Sequence, residues 1–208
     1  MCCLWCIALV ILRNNDLYSN SPSRVNVRIR KMTIETTHLQ LVPFSPVDLL
    51  ALIDGEAAFG ERFTMPAATG LRAFVVSDDV SPTWVEQLYA STVSDPWVYG
   101  FGVVHSLSRL VIGTAGFKGA PGQDRSVEIA YGIVPAFEGR GYATEAALAL
   151  VTFAFADDRV DLVSAHTLPA RNASTRVLEK CGFRQVGDVV DPEDGVVWRW
   201  ELRRPAPI

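Results

Sequence analysis

Two periodicities meet in the second half of this 208-residue chain. Val127, Ile129, Tyr131 and Ile133 alternate with Glu128, Ala130, Gly132 and Val134, the period of a strand enriched in β-branched residues. Pro135 ends the strand's capacity to donate to a ladder. Ala143, Ala146, Ala147, Leu150, Val151 and Ala154 then recur at helical spacing and form one broad apolar face. The same reading places elements along the rest of the chain. Leu39, Leu41 and Pro43 line a first strand, with the domain beginning at Thr36, and Ser45-Pro46 opens a helix that runs through Leu49, Leu50 and Ile53 to Gly55. Between Glu56 and Val80 only short helical pieces fit, because Gly60, Pro66 and Gly70 interrupt the pattern. Ser81-Pro82 starts another helix through Leu88. Trp97 to His105 and Leu110 to Phe117 read as a hairpin joined by Ser106–Arg109. Val160 to Leu168 reads as a strand, and Arg184 to Val186 as a short one. After a Pro192–Gly195 turn, Val196, Trp198, Trp200 and Leu202 form the apolar face of a last strand.

The join between strand and helix, Glu138-Gly139-Arg140-Gly141-Tyr142-Ala143, carries the candidate chemistry. Two glycines let the backbone turn tightly and present bare N–H groups. The first amides of a helix lack intrahelical partners and carry the positive end of its dipole, so a phosphate or pyrophosphate is the expected guest. A nucleotide-binding P-loop is excluded, since Tyr142 follows Gly141 where a lysine is required. A dinucleotide fingerprint finds weak support in Thr144 at the third small position and Asp161 as its acid. Downstream, Asn172 is a natural N-cap and Gly182 a natural left-handed terminator of a helix that ends Lys180-Cys181-Gly182-Phe183.

The loop, with Asn172 and the Lys-x-Gly-Phe closure, resembles the acetyl-coenzyme-A segment of the GNAT acyltransferases over roughly 60 residues. The Glu138 position departs from the family's Gln or Arg. Gly113–Phe117, Glu128–Gly132 and Gly141–Ala146 are most similar to the branch that includes the RimJ/RimL-type ribosomal-protein N-terminal acetyltransferases. The resemblance implies a mixed α/β fold, with a central, mostly antiparallel twisted sheet splayed at the cofactor cleft and flanked by helices. It implies acetyl-CoA as co-substrate, with no metal, and transfer of acetyl to a primary amine of a protein N-terminus or small molecule. It assigns acetyl-CoA to Gly139, Arg140, Gly141, Tyr142, Ala143 and Thr144, with Asn172 and Ser174 nearby and the backbone of Ile133 and Val134 along the pantetheine arm. A tyrosine that protonates the departing thiolate in many members is replaced by Leu178, which leaves Ser174, a water held by Asn172, or no dedicated acid. The rival readings are a non-catalytic acyl-CoA-binding module and, further off, a dinucleotide-dependent oxidoreductase.

Deprotonation of an amine calls for a nearby carboxylate. Glu128 is the catalytic candidate: it lies on the central strand in a row whose other members, Ala130 and Gly132, are small, and the family often places a glutamate there. His105 and His166 are expected to be structural and His38 exposed.

Composition narrows the setting. The chain is 49% hydrophobic, enough for one compact domain with a core, expected over residues 32–204 with a 205–208 tail. Residues 1–31 hold five basic residues and one acid; of 19 basic and 23 acidic residues this leaves 14 and 22, a net −8 for the remainder. An acidic body argues against nucleic acid as partner. The apolar run Leu4–Leu12 is too short to span a bilayer, so no membrane partner is expected. Residues 1–31 read as an extension outside the domain, with Met32 as the working start. Cys2, Cys3 and Cys6 lack the histidine partners of a zinc set, and Cys181 reads as a small core residue. The absence of a disulfide framework points to a reducing, cytoplasmic setting, as a monomer or homodimer.

Overall fold

The computed structural model describes residues 33–76, 82–191 and 195–205. The extension at 1–31, the Ser81 start of the third helix, the turn at 192–194 and the end of the tail lie outside the described residues. The elements run β1 (Ile34–Glu35), β2 (Leu39–Pro43), α1 (Pro46–Asp54), α2 (Glu56–Phe63), α3 (Pro82–Ala90), α4 (Pro96–Tyr99), β3 (Phe101–His105), β4 (Leu110–Phe117), β5 (Ser126–Ile133), α5 (Tyr142–Phe155), β6 (Leu162–Thr167), α6 (Ala173–Lys180), β7 (Arg184–Asp191) and β8 (Gly195–Arg203), with short 3₁₀ turns at Leu71–Phe74 and Pro135–Phe137.

One eight-stranded sheet carries them in the order β1-β2-β3-β4-β5-β6-β8-β7. Every junction is antiparallel except β5–β6, which is parallel and pairs only Ser126, Val127 and Glu128 with Leu162, Val163 and Ser164. Beyond Glu128 and Ser164 the two strands part. Each is followed by a helix, α5 and α6, so the split opens between two helix N-termini.

Local signals account for most elements. Ser45 caps α1 in a reciprocal box with Asp48, with Pro46 in the first turn, and Asn172 caps α6 in the same way with Thr175. Helix α5 buries Ala146, Ala147, Leu150, Val151 and Ala154. Fully burying a large aliphatic side chain such as Leu150 contributes about 1.5–3 kcal/mol. Aromatic rings fill the remaining space: Phe44, Phe59 and Phe63 cluster on one side, and Trp97, Phe117 and Phe153 on the other.

The fold departs from the sequence expectation in four places. Residues 96–99 form a helical turn and not the start of a strand, because the Asp95 side chain accepts from the Trp97 amide and Pro96 sits in the first turn. Strand β1 precedes the expected start at Thr36. Strand β7 extends to Asp191, well past Val186; it is an edge strand, exposed along most of its length, so no apolar alternation marked it. In β8 Val197 is buried and Val196 exposed, the reverse of the predicted face. That end of β8 pairs only with β7, which carries a register shift between Gln185 and Gly187.

Candidate functional site

The split between β5 and β6 encloses a cavity of about 460 Å³, bordered by β5 from Ile129 to Ile133, the loop at Phe137–Gly141, the first turn of α5, β6 from Ala165 to Leu168, and α6. It opens at one end on the glycine loop and narrows at the other toward the last paired residues, Glu128 and Ser164. Along β5, the five steps from Glu128 to Ile133 span about 17 Å at the usual strand rise.

At the wide end, Gly139 and Gly141 take φ of +73° and +88°, values that side-chain-bearing residues adopt at a cost. Gly141 is the N-cap of α5 and no side chain caps the helix. Among the described residues, no carbonyl or side chain accepts from the amides of Gly139 to Thr144. The acid in the first turn does not fill that place. Glu145 instead takes hydrogen bonds from the Thr36 hydroxyl (2.6 Å) and the His38 amide (2.6 Å), and contacts His38 Nδ1 (2.9 Å), tying the β1–β2 turn to the helix. Burial alone would raise its pKa, but these bonds hold it below the ordinary glutamate value. Tyr142 is likewise engaged, its hydroxyl 3.0 Å from His105 Nε2.

The walls of the split carry unused main-chain groups. The Val134 amide donates to Ile112 O (2.8 Å), and the Lys118 amide to Glu128 O (2.9 Å). This alternation makes Tyr131 and Ile133 non-hydrogen-bonded partners of β4, so their N–H and C=O groups point to the open edge. Val134 cannot share the role expected of it. It is fully buried, its amide is used by β4 and its carbonyl accepts from Phe137. The free main-chain groups of Ile133 do face the split, and so do those of Tyr131.

Of the other expected cofactor residues, Gly139, Gly141, Tyr142, Ala143, Thr144, Asn172 and Ser174 all border the cavity. The Arg140 guanidinium does not; it bonds Ala136 O (3.1 Å) and lies over the Phe137 ring. The Asn172 side chain is occupied by its own helix, accepting from Thr175 N at 3.0 Å. Leu178 borders the cavity, is fully buried and brings no proton donor. Cys181 is a core thiol that burial pushes up to about 11.

Sequence reasoning missed several residues. Arg176 and Lys180, one turn apart on α6, border the cavity and add positive charge to its wall; their i, i+4 spacing was the available signal. The Phe74 ring lies on Gly132, where an added Cβ would come within 2.5 Å of Phe74 Cε1. It separates the main cavity from a smaller one, about 60 Å³, lined by Phe44, Trp84, Tyr99 and Ala130 among others. The Tyr131 phenol borders the main cavity, and burial raises its pKa, keeping it protonated.

At the narrow end, Glu128 does not border the cavity; it sits in a cluster. Lys118 Nζ lies 2.6 Å from its Oε1, and His166 Nδ1 lies 3.0 Å from the same oxygen. Burial alone would raise the Glu128 pKa, but His166 and Lys118 more than offset that and hold it below the ordinary value. The His166 approach is off the line of a good hydrogen bond, so both buried ring nitrogens lack a directed partner. The dinucleotide reading loses its acid, because Asp161 lies at the far side of the strand, paired with Arg125. Among the described residues no cluster of potential metal ligands is found, and no helix is long and apolar enough to cross a membrane.

Comparison with known proteins adds to this geometry. The model of the acetyltransferase (GNAT) domain family matches residues 38–184. Probable N-acetyltransferase YjcK of Bacillus subtilis is 33% identical over 90 residues, 43% of this chain and 50% of the relative. The chain spans about half the length of the curated relatives it matches. Among solved structures, a GNAT-family acetyltransferase from Bacillus anthracis superposes with a TM-score of 0.55 at 18% identity, covering 83% of this chain and 98% of that one. RimL, a ribosomal-protein alpha-N-acetyltransferase in complex with coenzyme A, superposes at 0.58 and 15% identity, covering 82% and 97%.

Proposed function

Because this chain belongs to the GNAT acetyltransferases, we propose that it transfers acetyl from acetyl-CoA to the primary amine of a protein N-terminus or small molecule by direct attack on the thioester. The observation that carries the reading is the uncapped N-terminus of α5, with amides from Gly139 to Thr144 lacking acceptors, opening on the split between β5 and β6. A pyrophosphate satisfies those amides, and Arg176 and Lys180 add positive charge to the cavity wall. An extended pantetheine arm then runs down the split as a surrogate strand against the free groups of Ile133 and Tyr131. This brings the thioester toward the narrow end, where the Tyr131 N–H, the nearer of the two to the seam, is a donor for the oxyanion of the tetrahedral intermediate. The protonated Tyr131 phenol and the Ser174 hydroxyl are the donors offered to the departing sulfur, in place of any donor at position 178. Positioning supplies most of the rate, because an amine and a thioester held in register need little further chemistry.

Thermal unfolding with acetyl-CoA, CoA and NAD tests this. A hundredfold excess over Kd stabilises a protein by about 2.7 kcal/mol when only the folded state binds. CoA species are expected to raise the Tm and NAD to leave it unchanged. Thiol release in an amine panel then identifies the acceptor class. Absence of any shift with CoA species overturns the reading; a shift without thiol release from any amine favours a non-catalytic acyl-CoA-binding module.

A further inference from the structure

The narrow end of the split holds a titratable group that the mechanism above does not use. We infer that His166 is the general base that deprotonates the acceptor amine, and that Glu128 is a positioning residue which fixes its tautomer. The inference rests on the acetyl-transfer reading of this site.

The placement comes from the register. Glu128 and Ser164 are the last paired residues of the parallel seam. His166 lies two residues beyond Ser164 on the same face of β6, and its ring reaches back across the apex to the Glu128 carboxylate at 3.0 Å. His166 also borders the cavity, whereas Glu128 does not. Of the pair, His166 is therefore the member that lines the space a bound molecule would occupy. Nε2 is buried with no hydrogen-bond partner, which an amine nitrogen there would relieve, whereas Nδ1 has the 3.0 Å contact with Glu128, off the line of a good hydrogen bond.

The other titratable groups on the cavity wall are unsuited. Glu138 is exposed on the loop at the wide end, and the Tyr142 hydroxyl is bound to His105. Tyr131 is held in its protonated form by burial. Arg176 and Lys180 are cations that line α6. Imidazole is the side chain that changes protonation near neutral pH. The groups facing it are Glu128 on β5, Lys118 at the end of β4, and Arg199 with Glu201 on β8. Lys118 is paired to Glu128 at 2.6 Å, and Arg199, the cross-strand neighbour of His166, is paired to Glu201 at 3.0 Å. Lys118 neutralises the carboxylate in part, which leaves Glu128 able to direct the proton to Nδ1 without forcing the ring to be cationic. Nε2 is then the free lone pair, the same division of labour as in a nucleophile–His–carboxylate triad.

The step balances simply. Nε2 takes one proton from the acceptor ammonium and passes it to solvent. The nitrogen lone pair forms the C–N bond at the thioester carbon. Collapse of the tetrahedral intermediate breaks the C–S bond, and the pair leaves on sulfur. The nitrogen's next proton goes to that sulfur, giving an amide and a free thiol.

Three measurements test it. First, His166→Gln is expected to lower kcat about a hundredfold or more, the low end of general-base contributions, with the acetyl-CoA Kd within threefold of wild type. A kcat within threefold across pH 6–9 overturns the assignment. Second, Glu128→Gln is expected to lower kcat about tenfold or more, with the acetyl-CoA Kd within threefold of wild type, and Glu128→Asp to restore part of the loss; an unchanged kcat in Glu128→Gln overturns the positioning role. Third, nitrogen-15 histidine spectra report the ring without turnover. Neutral His166 is expected to carry its proton on Nδ1 in wild type and to shift toward Nε2–H in Glu128→Gln. An Nε2–H tautomer in wild type overturns the inference even if acetyl transfer itself is confirmed.

Discussion

Two helices begin at the edge of the same cavity, and they begin in opposite ways. Helix α6 closes its own N-terminus: Asn172 accepts from Thr175 N, and Thr175 Oγ1 accepts from Asn172 N, each at 3.0 Å. Helix α5 leaves its N-terminus open, with glycine at the cap, no side-chain acceptor, and its first-turn glutamate turned away toward Thr36 and His38. A cap stabilises a helix by about 1 kcal/mol. Omitting it at α5 gives up that stability and leaves donors for an anion. Both helices line the cavity, and the contrast separates a start closed on itself from one left open toward it.

The comparison breaks most sharply at Gly141. Gly141→Asp places a side chain at φ +88° and a carboxylate where a phosphate is expected. Acetyl-CoA affinity should fall about a hundredfold, or roughly 2.7 kcal/mol, read by calorimetry; a change under threefold would show that the open amides are not the anion site. Removing the cap on the other helix should do the reverse. Asn172→Ala is expected to cost about 1 kcal/mol of stability, a Tm decrease of about 2–4 °C for a chain of this size, with Kd for acetyl-CoA within threefold. A large loss of affinity without a loss of stability would make Asn172 a ligand-contacting residue.

The smallest effect depends on pH. The Glu145 carboxyl has a folded pKa held below its ordinary value of 4.5. Its ionised form is therefore favoured by folding, so its contribution is complete above the unfolded pKa and is lost as pH falls through the folded one. Wild type should unfold at higher temperature than Glu145→Gln at pH 7, and the gap should close as the pH drops below about 4.5. A gap that is constant with pH would assign the bonding to shape and not charge.

The same contrast explains what was legible in the sequence. The β5-loop-α5 unit and the α6 caps were readable because period two gives way to period 3.6 across two glycines, and because Asn172 and Gly182 are local signals at helix ends. The roles of residues were less legible. Glu128 was placed on the right strand and face, but its pairing with Lys118 and His166 spans β4, β5 and β6, and no local pattern reports cross-strand neighbours. Val134 was assigned a free backbone by its position, yet which edge a strand residue's amide faces is set by register with β4. Phe74 lay in the stretch between Glu56 and Val80 that showed no clear period. It matters only because Gly132, far away in sequence, leaves room for its ring.

The short parallel seam has a mechanical consequence. Strands β1 to β5 form one antiparallel ribbon and β6, β8 and β7 another, and just three residue pairs join them before the strands diverge. Apart from the two-residue edge strand β1, every other junction pairs five or more residues, so the joint between the ribbons is short for two central strands. A co-substrate lying in the split bonds to edge groups that the two ribbons withhold from each other, and so acts as a temporary splice. On the proposed reading, release of the co-substrate undoes that splice and leaves the seam with its three pairs. Amide exchange at Tyr131 and Ile133 should therefore follow occupancy more closely than exchange anywhere in the outer strands.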